Sequence, residues 1–205
     1  MARKPPAHPT LKRISTSPLV DPAVCSLVVI APTSADFAAL PLPVRNPLHG
    51  RFATLSTAAT IVGVPVFVWS PASNLKEHAL VDEMGRGEAR EFLAGDHLSP
   101  WLNREFVDAL CAADRAVLVL AGFWLEHEVV ATALHALAES YDVYIPVDAT
   151  PPRAPIAEQA TRARCLQAGA TPVTASQVIH EWSLEAPEAT QRTALFSLLS
   201  FLAHP

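Results

Sequence analysis

The feature that most restricts the fold of this chain is the run RAVLVLAGFWLEHEVVATALHA at residues 115–136. Residues 116–121 are a short apolar stretch rich in Val and Leu, which suits a strand buried on both faces of a parallel sheet, and Gly122 ends it. From Glu126 onward Val129, Val130, Ala133, Leu134 and Leu137 recur at helical spacing. Glu126 and Glu128 put acid into the first turn, where the helix dipole favours it. A strand that turns directly into a helix aims backbone N–H groups into the crevice at the carboxyl edge of a sheet, where doubly wound α/β proteins bind ligands. The functional site is therefore expected at this turn.

The rest of the chain alternates in the same way. Further strands are predicted at residues 25–31, 64–69, 91–94, 142–148 and 171–173, and helices at 47–61, 101–112, 155–168, 176–182 and 186–203. Gly63 and Gly169 stop two of the helices, and Pro155 opens one. Pro32, Thr33 and Ser34 read as the turn after the first strand. Pro71, Ser73 and Asn74 mark a loop, and residues 81–89 an acidic, poorly ordered or short-helical connection. Alternation throughout implies a three-layer α/β/α sandwich around a mostly parallel sheet of about six strands. Residues 1–18 hold Arg3, Lys4, Lys12, Arg13 and several prolines but few large apolar groups, the make-up of an arm that cannot fold alone. Residues 19–205 then form one domain. Its last helix carries Leu195, Phe196, Leu198, Leu199, Phe201 and Leu202, more apolar surface than one face needs. We predict that it is an oligomerisation helix buried against a partner subunit, with ordinary packing inside the chain as the alternative.

Composition narrows the function. With 205 residues, 50% of them hydrophobic, the chain can bury a substantial core. A net charge of -5 and the lack of a basic cluster argue against nucleic acid and anionic membrane surfaces as partners. Cys25, Cys111 and Cys165 are too few and too scattered for a disulfide framework or a zinc site, which points to core positions in a reducing compartment. No apolar segment approaches the ~20 residues that span a bilayer. A small-molecule ligand or self-association in the cytoplasm is expected, with no cofactor and no metal. Glu126, His127 and Glu128 are consecutive, so on a helix they point about 100° apart and cannot converge on one ion.

Around the central turn the sequence resembles the isochorismatase-like superfamily of cysteine hydrolases. The likeness is carried by AGFWLEHEVVATALHALAESYDVYIPVDAT, then EQATRARCLQAGATPVTASQVIHEW, and upstream by HLSPWLNREFVDAL, and spans residues 21–182. It is nearest to the ring-forming oligomeric subgroup. The resemblance implies a sheet of six parallel strands and a homo-oligomer, an octamer of two stacked tetramers.

In that family a strand ends in AG and a turn of the form TEVCV presents a cysteine nucleophile at a helix start, where the helix N-terminus and a neighbouring cation lower its pKa. Matching AGFWLEHEVV to this motif puts Glu128 at the cysteine position. The family's aspartate, the proton acceptor and donor, corresponds to Ala31, with Thr33 where glutamine is usual and Asp36 displaced along the chain. The family's lysine or arginine corresponds to Ala94. All three catalytic types are replaced, and residues that act as a unit leave little chemistry when the whole unit is lost. Two readings follow. One is a non-catalytic oligomeric scaffold or small-molecule binder. The other is a hydrolase or lyase with a rebuilt site, in which Glu128 is the general acid or base, assisted by His97 or His127. The expected pocket borders are Thr33, Trp69, His97, Trp101, Phe123, Trp124 and His127. An open pocket with Glu128 beside a histidine would favour the rebuilt site; aromatic rings filling the pocket would favour the first reading.

Overall fold

A computed structural model describes residues 17–70, 89–97 and 99–202. Most of the predicted arm, the loop at Pro71, Ser73 and Asn74, and nearly all of the connection at 81–89 lie outside the described residues. Six strands form one parallel sheet: β1 (Cys25–Ile30), β2 (Val66–Ser70), β3 (Arg90–Leu93), β4 (Val117–Gly122), β5 (Asp142–Pro146) and β6 (Thr171–Val173). Their order is β3-β2-β1-β4-β5-β6. The chain winds outward from β1 in one direction and from β4 in the other, so the topological switch falls between these two strands, and in doubly wound sheets the ligand crevice lies at the carboxyl ends of such a pair.

Seven α-helices are described: α1 (Ser34–Ala39), α2 (Leu42–Val62), α3 (Arg104–Ala112), α4 (Val130–Ala138), α5 (Pro155–Ala168), α6 (Ala175–Glu185) and α7 (Ala189–Leu202). The central strands β1 and β4 are buried at every position, and alternate residues feed two cores. Leu27, Val29, Val117, Val119 and Ala121 face α2 and α6, meeting Phe52, Leu55 and Trp182. Val28, Ile30, Leu118 and Leu120 face α3 and α4, meeting Phe106, Leu110 and Ala133. A continuous apolar run is what a strand sandwiched between two helical layers requires.

Local signals explain most boundaries. The Pro155 start and Gly169 stop of α5 fall where they are predicted, with Gly169 left-handed at φ 106°. Gly63 likewise ends α2 at φ 69°. Asn103 caps α3 by accepting from Phe106 N (3.1 Å), and its Nδ2 donates to Leu93 O (3.3 Å), which ties the helix to the end of β3. The predicted helix at 101–112 is thus split: Pro100–Leu102 is a short 3-10 turn, and the α-helix begins only after the Asn103 cap.

Three boundaries differ in ways that matter. The second helix begins at Leu42 instead of 47, because Pro43 lies in its first turn, where a missing N–H costs nothing; Pro47 sits inside it. The turn expected at Pro32–Thr33–Ser34 instead nucleates α1, where Thr33 and Asp36 form a reciprocal capping box. The last helix starts at Ala189, and its Leu195, Leu198, Leu199 and Leu202 pack into the core between α2 and α6, leaving Phe196 half exposed beside His180. Within the chain Leu195 is fully buried and Leu198, Leu199 and Leu202 are partly buried.

Candidate functional site

At the switch point the register pairs Ile30 with both Gly122 and Trp69. The N–H of Phe123 donates to Ile30 O (3.0 Å), and the N–H of Ala31 donates to Trp69 O (2.7 Å), so three chain segments meet at one edge. Gly122 has φ 125°, and a Cβ there would overlap the Ile30 carbonyl oxygen. Only glycine permits so close an approach. The Phe123–Trp124 peptide is cis. Beyond it the predicted helix start is not α-helical: Leu125–Val129 forms one π-turn, with the N–H groups of His127 and Val129 both donating to Trp124 O (3.1 and 3.4 Å), and α4 begins at Val130. Such turns occur often at functional sites. Glu128 lies in this turn, half-buried, and forms no hydrogen bond or ion pair among the described residues.

Around it, the residues of the predicted site separate. Ala31 and Ala94 lie at the ends of β1 and β3, 1% and 4% exposed, and contribute only methyl groups. Thr33 is occupied by its capping box: Oγ1 donates to Asp36 Oδ2 (2.7 Å) and accepts from Asp36 N (3.1 Å). Phe123 and Trp124 turn into the core on the α2 side. The Phe123 ring lies 6.0 Å from Phe52, 6.3 Å from Phe37 and 4.9 Å from Trp124. Trp124 Nε1 donates to Asp36 Oδ1 (3.1 Å). Trp69 is fully buried on the opposite side of the sheet, edge-on to Phe106. Trp101 stacks on His135 (6.3 Å, 9° between planes), and its buried indole N–H has no acceptor among the described residues. His97 and His127 are exposed. Three of the expected pocket borders, Trp69, Phe123 and Trp124, are thus packed into core, and neither histidine has a hydrogen bond or ion pair with Glu128.

Sequence reading missed the part played by Asp36. Its carboxylate joins the start of α1 to the turn after β4, and the signal was present: Thr33 followed three residues later by an acid is a capping-box pattern.

Glu126, two residues before Glu128, has a different role. Its carboxylate accepts from the N–H groups of Arg153 (3.0 Å) and Ala154 (2.8 Å), pinning the π-turn to the start of α5. Burial pushes its pKa up, but these backbone donors outweigh it and hold the carboxyl below the ordinary 4.5. A depressed folded-state pKa gives stability that is complete above the unfolded value and lost as pH falls through the folded one. Thermal melts from pH 7 down through the acid range should therefore show a falling midpoint below about the ordinary glutamate pKa. Glu126→Gln should flatten that segment of the curve. An identical acid limb in the variant would assign it to other carboxylates.

The thiols lie elsewhere. Cys25 opens β1 at the amino edge of the sheet, Cys111 is near the end of α3, and Cys165 is within α5. Burial pushes Cys25 up to about 12 and raises Cys111 and Cys165 above the usual thiol value. All three are free thiols whose thiolate forms are disfavoured by burial. Among the described residues no three His, Cys, Asp or Glu side chains gather as metal ligands, and no helix is long and apolar enough to cross a membrane.

Sheet order, switch-point crevice and strand–turn–helix together define a doubly wound α/β protein with a three-layer, all-parallel architecture. The isochorismatase domain model matches residues 50–177, and the chain belongs to the isochorismatase family. Similar solved structures include the YcaC gene product of Escherichia coli, described as an octameric hydrolase of unknown specificity. It is 21% identical, with 90% of this chain and 92% of that one covered and a TM-score of 0.77. YcaC from Pseudomonas aeruginosa, solved with hexane-2,5-diol and covalent acrylamide, is 20% identical over 93% and 96% of the two chains, at 0.78. The MAR1 ribonuclease of Caenorhabditis elegans is 18% identical over 88% and 91%, at 0.75. At these identities the likeness establishes the fold. No curated protein matches the sequence.

Proposed function

We propose that this chain is an isochorismatase-family protein without the family's thiolate chemistry, serving as a homo-oligomeric scaffold or small-molecule binder in the cytoplasm. The observation that carries the reading is the pair of buried methyl groups of Ala31 and Ala94 at the strand ends, where the resemblance expects an aspartate and a cation. Alanine has nothing to titrate, so neither proton transfer nor thiolate stabilisation has a residue to perform it. None of the three thiols lies in the turn after β4, and Phe123, stacked on Phe52 and edge-on to Phe37 and Trp124, is packed into the core beside that turn. Unpaired cysteines suit a reducing compartment. The octameric Escherichia coli relative supports self-association. On this reading residues 1–18 are an arm and residues 19–205 the domain.

A rebuilt site retains one supporting observation. Glu128 is half-buried with no partner among the described residues, whereas Glu126 is fully engaged. Its assistants would be His97 or His127, both exposed.

Turnover of small amides, esters and enol ethers, together with acrylamide labelling read by mass spectrometry, distinguishes the two. The wild type should turn over none of the panel above the buffer rate, with Glu128→Gln indistinguishable, and should form no acrylamide adduct within residues 125–129. Glu128→Cys should acquire an adduct there, faster than at Cys25 or Cys165, because a thiol in that turn is neither deeply buried nor held protonated by burial. Turnover by the wild type that falls at least 100-fold in Glu128→Gln would overturn the non-catalytic reading and establish Glu128 as an acid or base.

A further inference from the structure

A second concavity lies away from this crevice. A cleft of about 440 Å³ runs between the first half of α2 and the segment that follows β5 into α5. Such a volume falls within the usual range for small-molecule sites. None of Ala31, Ala94 and Glu128 lines it. Its walls include Val44, Leu48, Val147 and four prolines contributed by both segments, which makes them apolar and conformationally fixed.

The charged groups in the cleft are four: Arg51, Asp148, Glu158 and Arg162. Asp148 uses both oxygens: Oδ1 accepts from Ala175 N at the head of α6 (2.8 Å), and Oδ2 meets Arg51 Nε (3.1 Å). Arg162 Nε donates to Glu158 (2.9 Å), and its Nη2 donates to the carbonyls of Val147 (3.1 Å) and Thr150 (3.2 Å). Arg51 differs from both. Asp148 meets it through Nε, and neither of its terminal nitrogens has a hydrogen bond among the described residues. Arg162 keeps only Nη1 without a hydrogen bond among the described residues, whereas Arg51 keeps both terminal nitrogens, on a guanidinium held by a carboxylate that is itself anchored to a helix start. A forked donor fixed in advance, with its two terminal N–H groups unspent, fits a carboxylate at low ordering cost.

The surrounding charge sets the valence of the ligand. Arg51 and Arg162 are balanced by Asp148 and Glu158, so the lining is neutral overall and offers one guanidinium fork with both terminal nitrogens unspent, which matches one carboxylate and leaves a second negative charge without an equal partner. We propose that this cleft binds a small organic monocarboxylate with an apolar body, its carboxylate on the terminal nitrogens of Arg51 and its body against Val44 and the proline walls.

Saturation-transfer NMR with 4-phenylbutyrate tests this on the full chain, with 4-phenylbutanamide and phenyl phosphate as neutral and dianionic comparators. The expected result is transfer to 4-phenylbutyrate, with affinity at least fivefold above either comparator. Arg51→Met should weaken it at least tenfold, and Val44→Trp, which fills the cleft from its partly exposed wall without touching the ion pair, should abolish it. Glu128→Gln should leave it unchanged; loss in that variant alone would move the ligand to the crevice and overturn the assignment. Absence of transfer to the wild type, equal binding of the amide, or binding that survives both cleft variants would each overturn it too. Should Arg51→Met fail to fold, Val44→Trp decides. The outcome is independent of the turnover panel, since none of the cleft residues is at the positions on which the non-catalytic reading depends.

Discussion

Gly122→Ala is expected to remove the folded protein from the soluble fraction. At φ 125° the alanine would occupy backbone space that side-chain-bearing residues avoid, and its Cβ would lie 2.6 Å from Ile30 N and 2.7 Å from Ile30 C, within the backbone of the adjacent central strand. Neither contact can be relieved by a rotamer change. Relief requires moving β4 from β1 at the point where Phe123 N–H donates to Ile30 O. Backbone strain and overpacking together should cost at least about 4 kcal/mol, most of the stability of an ordinary domain. Solubility and circular dichroism after expression measure it. A well-folded variant with a melting point near wild type would mean that the edge relaxes more readily than two hydrogen-bonded central strands should. Gly50, where an added methyl group would meet nothing within 4 Å, is the natural comparison, and Gly50→Ala should be tolerated.

Phe123→Ala has the second-largest expected effect. The ring is 2% exposed, stacked on Phe52 and edge-on to Phe37 and Trp124. Truncation removes its burial and leaves a cavity lined by rigid aromatics that collapse poorly, so a loss of about 3–5 kcal/mol is expected. In urea the unfolding midpoint should fall by roughly 1–2.5 M for a slope of about 2–3 kcal/mol/M. Phe196→Ala, on a half-exposed position of α7, should shift it much less. Equal shifts in the two variants would contradict the placement of Phe123 as a filled-in part of the crevice. The same substitution bears on function, because it opens space at the carboxyl edge beside Phe52 and Trp124 without adding a titratable group. A gain of ligand binding without a gain of turnover is the outcome consistent with the non-catalytic reading.

Much of the fold was legible because its signals are local. Continuous Val, Leu and Ile runs mark strands buried on both faces, and the α5 limits follow from Pro155 and Gly169, whose backbone preferences need no tertiary help. The start of α2 was missed because prolines at 41, 43 and 47 read as loop when their positions relative to the first helical turn are unknown. The π-turn at Leu125–Val129 leaves no trace in hydrophobic periodicity, since one extra residue in a turn barely shifts the pattern over so short a span. The site was half legible. The placing of Ala31 and Ala94 at the ends of β1 and β3 and of Glu128 in the turn after β4 was legible from motif and strand pattern, and the non-catalytic reading proposed above rests on their residue types. Whether Trp69, Phe123 and Trp124 border a pocket or fill one was not legible, because this depends on which side of the sheet each ring takes.

By itself, then, the sequence determined the parallel α/β class and the strand–turn–helix at the switch point, and it placed Ala31, Ala94 and Glu128 at the positions on which the proposed loss of chemistry rests, all of which depend on residue identity and short-range pattern. Only the tertiary structure decided where the side chains beyond the strand ends point. Past Gly122 the chain leaves the period of the strand, and contacts from distant segments take over: Asp36 holds Trp124, Phe52 receives Phe123, and the start of α5 engages Glu126. The pairing that turns Arg51 towards Asp148 likewise joins residues nearly a hundred positions apart, and no local rule of spacing relates them.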